Sequence, residues 1–413
     1  MAPPSLPPDA ASTDFEEAGM STGSTMLRAV LSKPSRVPSC LGGLLLAALL
    51  PCGSALADPL YAVTALAAAG SSGTGINAAG AVVGQFANGG GSHGFVYGAG
   101  GFLDLGTLGG AGSAANGIND HGAIVGWADN GSGQRRAFLY DSGVMSDLGT
   151  LGGAGSIAWA IDNSGTIIGS ASTGQEELPY FQQAFRYAGG SMQGLGTLSG
   201  GLGSTAYAIN AHGLIAGFSY EGPITVPEYP SHATTFAGGA VTEIAPLDNG
   251  LVFGINDAGQ MVGRYGFTTG SRGFVFANGV ATELGLLDPV FGSGQGTDIN
   301  NLGQIVGASM VQIGEFQSGY HGVLYGLDGT PTDLNALIDP ASGWEIVDAA
   351  SINDAGQIAG TACKGGECFA VRLDLVPAVP EPGSWAMFAG GLLLFGMRGR
   401  RPVWRAGGRS QAR

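Results

Sequence analysis

The residues that could carry chemistry are few and scattered. Within residues 58–376 one Gly-x-Ser-x-Gly occurs, Gly90-Gly91-Ser92-His93-Gly94. A nucleophile elbow lifts its serine on a tight strand–turn–helix. This one lies in a Gly-rich loop before a strand-like segment, with no helical period after it, so no catalytic role is assigned. The five histidines are dispersed, and no His-Glu-x-x-His is present. His121 and His212 fall inside Asn-x-x-Gly turns where other copies carry Ala, Ser or Leu. Asp120, Asp257 and Asp354 follow a recurring Asn or its equivalent and raise the question of calcium. The spaced Asp-x-Asp-x-Asp-Gly of a calcium loop is missing, and a turn role is preferred. No other cofactor is implied. Cys363 and Cys368 flank Lys364-Gly365-Gly366-Glu367. In an oxidising compartment this reads as a local disulfide across a hairpin turn; a zinc half-site is the alternative, but once the N-terminal signal is removed no second pair exists.

The elements that would position these residues are repeated. The motif Ile-Asn/Asp-x-x-Gly-x-apolar-x-Gly begins at Ile76, Ile118, Ile161, Ile209, Ile255, Ile299 and Ile352, at intervals of 42, 43, 48, 46, 44 and 53 residues. Asn or Asp bonds its own backbone to open a turn, and Gly takes the positive φ that closes it. The flanks alternate apolar and small residues, as strands do. A further strand follows each hairpin, as in Gly94-Phe95-Val96-Tyr97 and Ala137-Phe138-Leu139-Tyr140. A fourth is expected at Asp104-Leu105-Gly106-Thr107-Leu108, Asp147 to Leu151 and Gly194 to Leu198. Four short strands in about 44 residues match the blade of a β-propeller. Helices should be few.

The array is offset by one strand. The last unit stops near Pro377 without its fourth strand, while Tyr61 to Leu66 precedes the first unit as a fourth strand alone. A closed ring needs that offset, because the first strand completes the last blade and removes both edges. The expected fold is therefore all-β, a seven-bladed propeller over 58–376 closed by pairing Tyr61–Leu66 beside Phe369–Leu373.

The two ends read as addresses. Arg28, Lys33 and Arg36 precede an apolar run over 41–50 and then Ala55-Leu56-Ala57, the layout of a secretory signal cleaved before Asp58. The apolar run is too short to span a bilayer. Residues 1–57 form this N-terminal segment, with Met26 a candidate start. Residues 377–413 hold Val379-Pro380-Glu381-Pro382, Trp385, a short apolar helix and the cluster Arg398, Arg400 and Arg401. Trp385 suits a membrane interface, and the Arg cluster favours the cytoplasmic side.

This tail resembles the bacterial PEP-CTERM sorting signal. The resemblance implies a transient inner-membrane anchor processed near Pro-Glu-Pro by an exosortase, a membrane peptidase. The apolar stretch is short, and twelve residues follow the Arg cluster, in departure from that pattern. The repeat is similar to the extracellular HAF repeat, named for His-Ala-Phe at the start of the third strand. His93-Gly94-Phe95, His232-Ala233 and His321-Gly322 keep the His, while Arg136, Gln183 and Arg272 replace it. That resemblance implies secretion and no settled activity.

Composition bounds what remains. The chain holds 77 Gly and only 11% charged residues. Asp58 to Pro380 carries 26 acidic and 7 basic residues, a net charge of −19, so nucleic acid is excluded as a partner. The expected protein is exported through the secretion translocon to a Gram-negative cell surface or biofilm matrix. There it would act as a non-enzymatic binding or scaffold module, with exopolysaccharide as a possible partner. The alternative is an extracellular hydrolase, carbohydrate-active or other, with acidic residues converging at the channel.

Overall fold

The computed structural model describes residues 60–377, apart from 175–181, 222–229, 245–246, 248, 267–269, 291, 315–316 and 327. The cleavage-site residues Ala55, Ala57 and Asp58 lie outside the described residues. So do the sorting-tail residues Val379, Pro380, Glu381, Pro382, Trp385, Arg398, Arg400 and Arg401.

The described residues form an all-β, seven-bladed propeller of seven four-stranded antiparallel sheets. After β1 (Tyr61–Ala65), blade one holds β2 (Ser71–Ile76), β3 (Val82–Asn88), β4 (Gly91–Gly98) and β5 (Gly101–Gly106). Blade two holds β6 (Gly109–Ile118), β7 (Ile124–Asn130), β8 (Arg135–Asp141) and β9 (Val144–Asp147). Blade three holds β10 (Ser156–Ile161), β11 (Ile167–Ser172), β12 (Gln182–Ala188) and β13 (Ser191–Gly196). Blade four holds β14 (Gly203–Ile209), β15 (Ile215–Tyr220), β16 (Ser231–Ala237) and β17 (Ala240–Glu243). Blade five holds β18 (Leu251–Ile255), β19 (Met261–Tyr265), β20 (Arg272–Ala277) and β21 (Val280–Glu283). Blade six holds β22 (Gly294–Ile299), β23 (Ile305–Gly314), β24 (Gln317–Tyr325) and β25 (Pro331–Asp333). Blade seven holds β26 (Glu345–Ile352), β27 (Ile358–Lys364) and β28 (Glu367–Leu375), with β1 as its outer strand.

Strand β1 pairs with β28 from Tyr61 opposite Leu375 to Ala65 opposite Val371. The paired segment Val371–Leu375 lies two residues further along β28 than the expected Phe369–Leu373. Blade seven also meets blade one directly. Asn353 Nδ2 donates to the Asn77 carbonyl at 3.0 Å, the Ala370 amide to Ser71 Oγ at 2.9 Å, and Arg372 to the Gly80 carbonyl at 2.8 Å.

The fourth strands correct the expected boundaries. They end at Gly106, Asp147 and Gly196, so Leu-Gly-Thr-Leu is mostly the connection to the next blade. Gly106, Gly149 and Gly196 take φ of 74°, 84° and 86°, which turns the chain out of the sheet. In blade six, Leu334–Ala336 forms a 3-10 turn capped by Asp333.

The core lies between blades. Phe95, Phe138, Phe185 and Phe274 of the third strands are wholly buried. Phe95 packs with Ile76 and Val82 of its own blade and with Ala359 and Ala370 of blade seven. Each such ring contributes about 2–3 kcal/mol of burial, in contacts shared by two sheets.

Candidate functional site

The motif Asn residues form a ring around one mouth of the channel. Each has two bonds. Its Oδ1 accepts the amide four residues on, as Asn77 does from Ala81 at 2.9 Å, and this closes the hairpin turn. Its Nδ2 donates to the backbone carbonyl of the equivalent residue in the next blade. The chain of donors runs Asn77 to Asn119, Asn119 to Asp162, Asn210 to Asn256, Asn256 to Asn300, Asn300 to Asn353 and Asn353 back to Asn77, at 3.0–3.1 Å. The link from blade three to blade four is missing because the Asp162 side chain has no N–H to give. Its carboxylate instead accepts from Ser164 and Thr166.

The next residue forms a second ring. The Ala78 amide donates to Asp120, Asp120 to Asn163, Ala211 to Asp257, Asp257 to Asn301, and Asn301 to Asp354, each at 2.8–2.9 Å onto a side-chain oxygen. Asn163 and Asn301 also donate to Asp120 and Asp354 through their side chains. The three acids that raised the question of calcium therefore accept bonds across blade seams. No cluster of three or more metal-type ligands exists among the described residues. The mouth encloses about 280 Å3.

Below the mouth, every inner strand carries a β-bulge at the same place. The register skips one residue two positions before the motif Ile: Thr74, Asn116, Trp159, Tyr207, Phe253, Thr297 and Ala350. A bulge bends a strand and re-aims the extra side chain. All seven line a channel cavity of about 200 Å3. The bulge also explains the last Gly of the motif. At Gly84, a Cβ would lie well inside contact with the Ser72 carbonyl, and Gly126 and Gly169 meet the same obstacle on their own inner strands.

The bulge ring is divided. Trp159, Tyr207 and Phe253 form an aromatic arc, with ring centroids 4.9 Å and 5.5 Å apart. The other blades supply Thr74, Asn116 and Thr297, which donate to carbonyls of the next blade at 2.6–2.8 Å, and Ala350. Trp159 Nε1 is buried without a hydrogen-bond partner among the described residues. Asp298, where other blades carry Gly, Ala or Ser, is half-buried at the channel. Burial raises its carboxyl pKa, and bonds from Ser351, Ile352 and Ile299 draw it partly back. Neither the bulge ring nor Asp298 was picked out from the sequence. Aligning the repeats on Ile exposes both, because columns −2 and −1 break the pattern.

The remaining sequence candidates have structural partners. Ser92 Oγ donates to the Ser113 carbonyl at 3.3 Å, while His93 pairs with Asp104 at 3.0 Å. His232 pairs with Glu243 and His321 with Asp333 in the same way, third strand to fourth. Where Arg replaces His, the pairs are Arg136–Asp147 and Arg272–Glu283. Blade three carries Gln183 and, on β13, Gly194 in place of an acid. The His of the repeat is thus one member of a polar cross-strand pair, in the place that Arg takes in other blades. The backbone amides of His121 and His212 donate to the motif Asn. Cys363 and Cys368 are disulfide-bonded as direct cross-strand partners on β27 and β28.

Fold and channel together define a seven-bladed β-propeller with a ring of inter-blade hydrogen bonds at one mouth. No protein-family model matches the chain, and no curated protein does. Solved structures to which the chain shows similarity include a candidate gluconolactonase, 13% identical, covering 77% of this chain and 95% of its own, TM-score 0.38. Another is a puromycin-hydrolyzing peptidase of Mycobacterium tuberculosis, 12% identical, covering 76% and 55%, TM-score 0.45. A third is the acylaminoacyl peptidase of Pyrococcus horikoshii, 11% identical, covering 73% and 51%, TM-score 0.42. Similarity at this level carries no argument about activity.

Proposed function

We propose that the chain is an exported, non-enzymatic binding module of the cell surface or extracellular matrix, and that the channel end of the propeller recognises a neutral, hydroxyl-rich ligand such as the end of an exopolysaccharide chain. The observation that supports this most is the use made of the mouth carboxylates. Asp120, Asp257 and Asp354 accept amides from neighbouring blades. A catalytic carboxylate needs its oxygens free to meet a reacting atom. What faces the channel instead is an aromatic arc with the unpaired Trp159 N–H, together with neutral polar residues and Asp298, whose oxygens accept from Ser351, Ile352 and Ile299. Apolar ring faces with a few placed polar groups are the ordinary make-up of a small-ligand site.

Export and sorting rest on the sequence: the signal ending at Ala55-Leu56-Ala57, and the tail from Val379 to Arg401. In this reading the translocon delivers the precursor, the tail holds it in the inner membrane through its apolar segment, and an exosortase-like peptidase processes it. The channel is tested with the exported protein in a polysaccharide pull-down, wild type against Trp159→Ala. Capture that the variant loses supports the reading. Equal capture by both, or turnover of a glycan or peptide substrate, overturns it. For sorting, Pro380, Glu381 and Pro382 are changed to Ala together; unchanged processing and location refute that part.

A further inference from the structure

A second cavity, separate from the channel, lies among blades five, six and seven and encloses about 520 Å3. Its polar wall includes Arg264 on β19 and the buried pair Ser271 and Ser293, whose hydroxyls are 2.9 Å apart. Asp348, in β26 of blade seven beyond blade six, also lines it, as does Glu345, which pairs with His321 at 3.5 Å. The apolar part includes Val347, Tyr320 (43% exposed) and Ile313 (52% exposed).

Two charges here lack the partners that buried charges require. Arg264 Nε is buried without a hydrogen-bond acceptor among the described residues, and none of their ion pairs includes Arg264. Asp348 has no cation beside it either. Burial pushes its carboxyl up to about 6, and the Ala349 amide alone opposes this. A lone anion at Arg264 would leave Asp348 unpaired and add charge to an acidic body. A lone cation at Asp348 would leave the guanidinium unpaired. A molecule carrying both charges satisfies both groups.

We propose that this cavity binds a free amino acid with an apolar side chain, its carboxylate on Arg264, its ammonium on Asp348, and its side chain against Val347, Ile313 and Tyr320. The two serines stand within the same polar wall to bond the second carboxylate oxygen. The planar fork of Arg suits a carboxylate in two-point contact. The site does not depend on the channel reading.

The probe is L-leucine, titrated calorimetrically into the exported full-length protein beside leucinol, which lacks the carboxylate, and 4-methylpentanoate, which lacks the ammonium. Leucine is expected to bind at least about tenfold tighter than either, the scale of one charge-assisted hydrogen bond. Arg264→Met should weaken leucine about tenfold and abolish its advantage over leucinol. Asp348→Asn should abolish its advantage over 4-methylpentanoate. Arg264→Lys, which keeps the stem and charge, should retain part of the affinity, and thermal melts verify that each variant is folded. Trp159→Ala, in the channel, should leave leucine binding unchanged, which separates this site from the channel reading. The proposal is overturned by leucinol binding as well as leucine, by folded Arg264→Met binding normally, or by absence of leucine binding at about 10 mM. Arg264-dependent binding of a sugar acid such as glucuronate without leucine binding overturns it too.

Discussion

The broken link at Asp162 offers a direct measurement of what the mouth ring contributes. Six of the seven repeats join their neighbour through an Asn Nδ2 bonded to a backbone carbonyl, and the seventh carries Asp162, whose side chain has no N–H to donate across the seam. Asp162→Asn would restore the missing donor. The turn should survive, because Oδ1 of Asn119 accepts the amides two and four residues on just as Asp162 does. The gain is one hydrogen bond, about 1 kcal/mol net. Against it stands the weakened acceptor for Ser164 Oγ, now 2.7 Å from the carboxylate, a few tenths of a kcal/mol. A net stabilisation of about 0.5–1 kcal/mol follows, worth roughly 1 °C in a ring of this size. Differential scanning calorimetry with matched urea titrations resolves such a shift. The reverse change, Asn210→Asp, removes a 3.1 Å link and should lower stability by about 1 kcal/mol or more. If Asp162→Asn is neutral or destabilising while Asn210→Asp is costly, the ring is not the sum of its links, and the reasoning fails.

Deleting Tyr61–Leu66 removes the strand beside β28 together with two buried side chains, Tyr61 and Leu66. At about 2 kcal/mol for each plus the backbone pairs, the whole ring should melt earlier in one transition; an unchanged calorimetric midpoint would refute closure by β1. Replacing Cys363 and Cys368 by Ser opens a small hairpin loop and should cost about 2 kcal/mol by chain entropy, measured in urea. The pair His321 and Asp333 should give a signed pH effect. The hydrogen bond to Asp333 raises the His321 pKa, despite burial that lowers it. Its contribution is therefore complete below the unfolded value near 6.5 and is lost as pH rises through the raised one. Burial pushes the Asp333 carboxyl up, but bonds from His321 and the Asn335 amide outweigh this and hold it below the usual range, so its share is present above about pH 4 and lost in acid. His321→Gln should thus lose most stability relative to wild type between roughly pH 4 and 6.5, and a pH-independent difference would count against the pair.

What residue order alone makes legible is local. An Asn four residues before a turn's closing amide, and a Gly able to take positive φ, mark a hairpin wherever they occur, and seven copies at blade spacing mark a propeller. The two cysteines across a Gly-Gly turn were legible for the same reason. The fourth strands were placed too late because Leu-Gly-Thr-Leu alternates like a strand, while the positive φ of its Gly follows from the connection to the next blade. The second bond of each motif Asn was invisible, since its acceptor lies 42 to 53 residues away along the chain, or 276 for Asn353. The channel ring escaped for a related reason. Trp159, Tyr207 and Phe253 read as one apolar residue per repeat, and only closure of the blades around an axis brings three bulged side chains against one another. Arg264 and Asp348 belong to blades five and seven, and no spacing in the chain relates them. Hydrogen bonds within a turn are written in consecutive residues, whereas contacts across a ring depend on where each blade stands, and that is decided by tertiary packing.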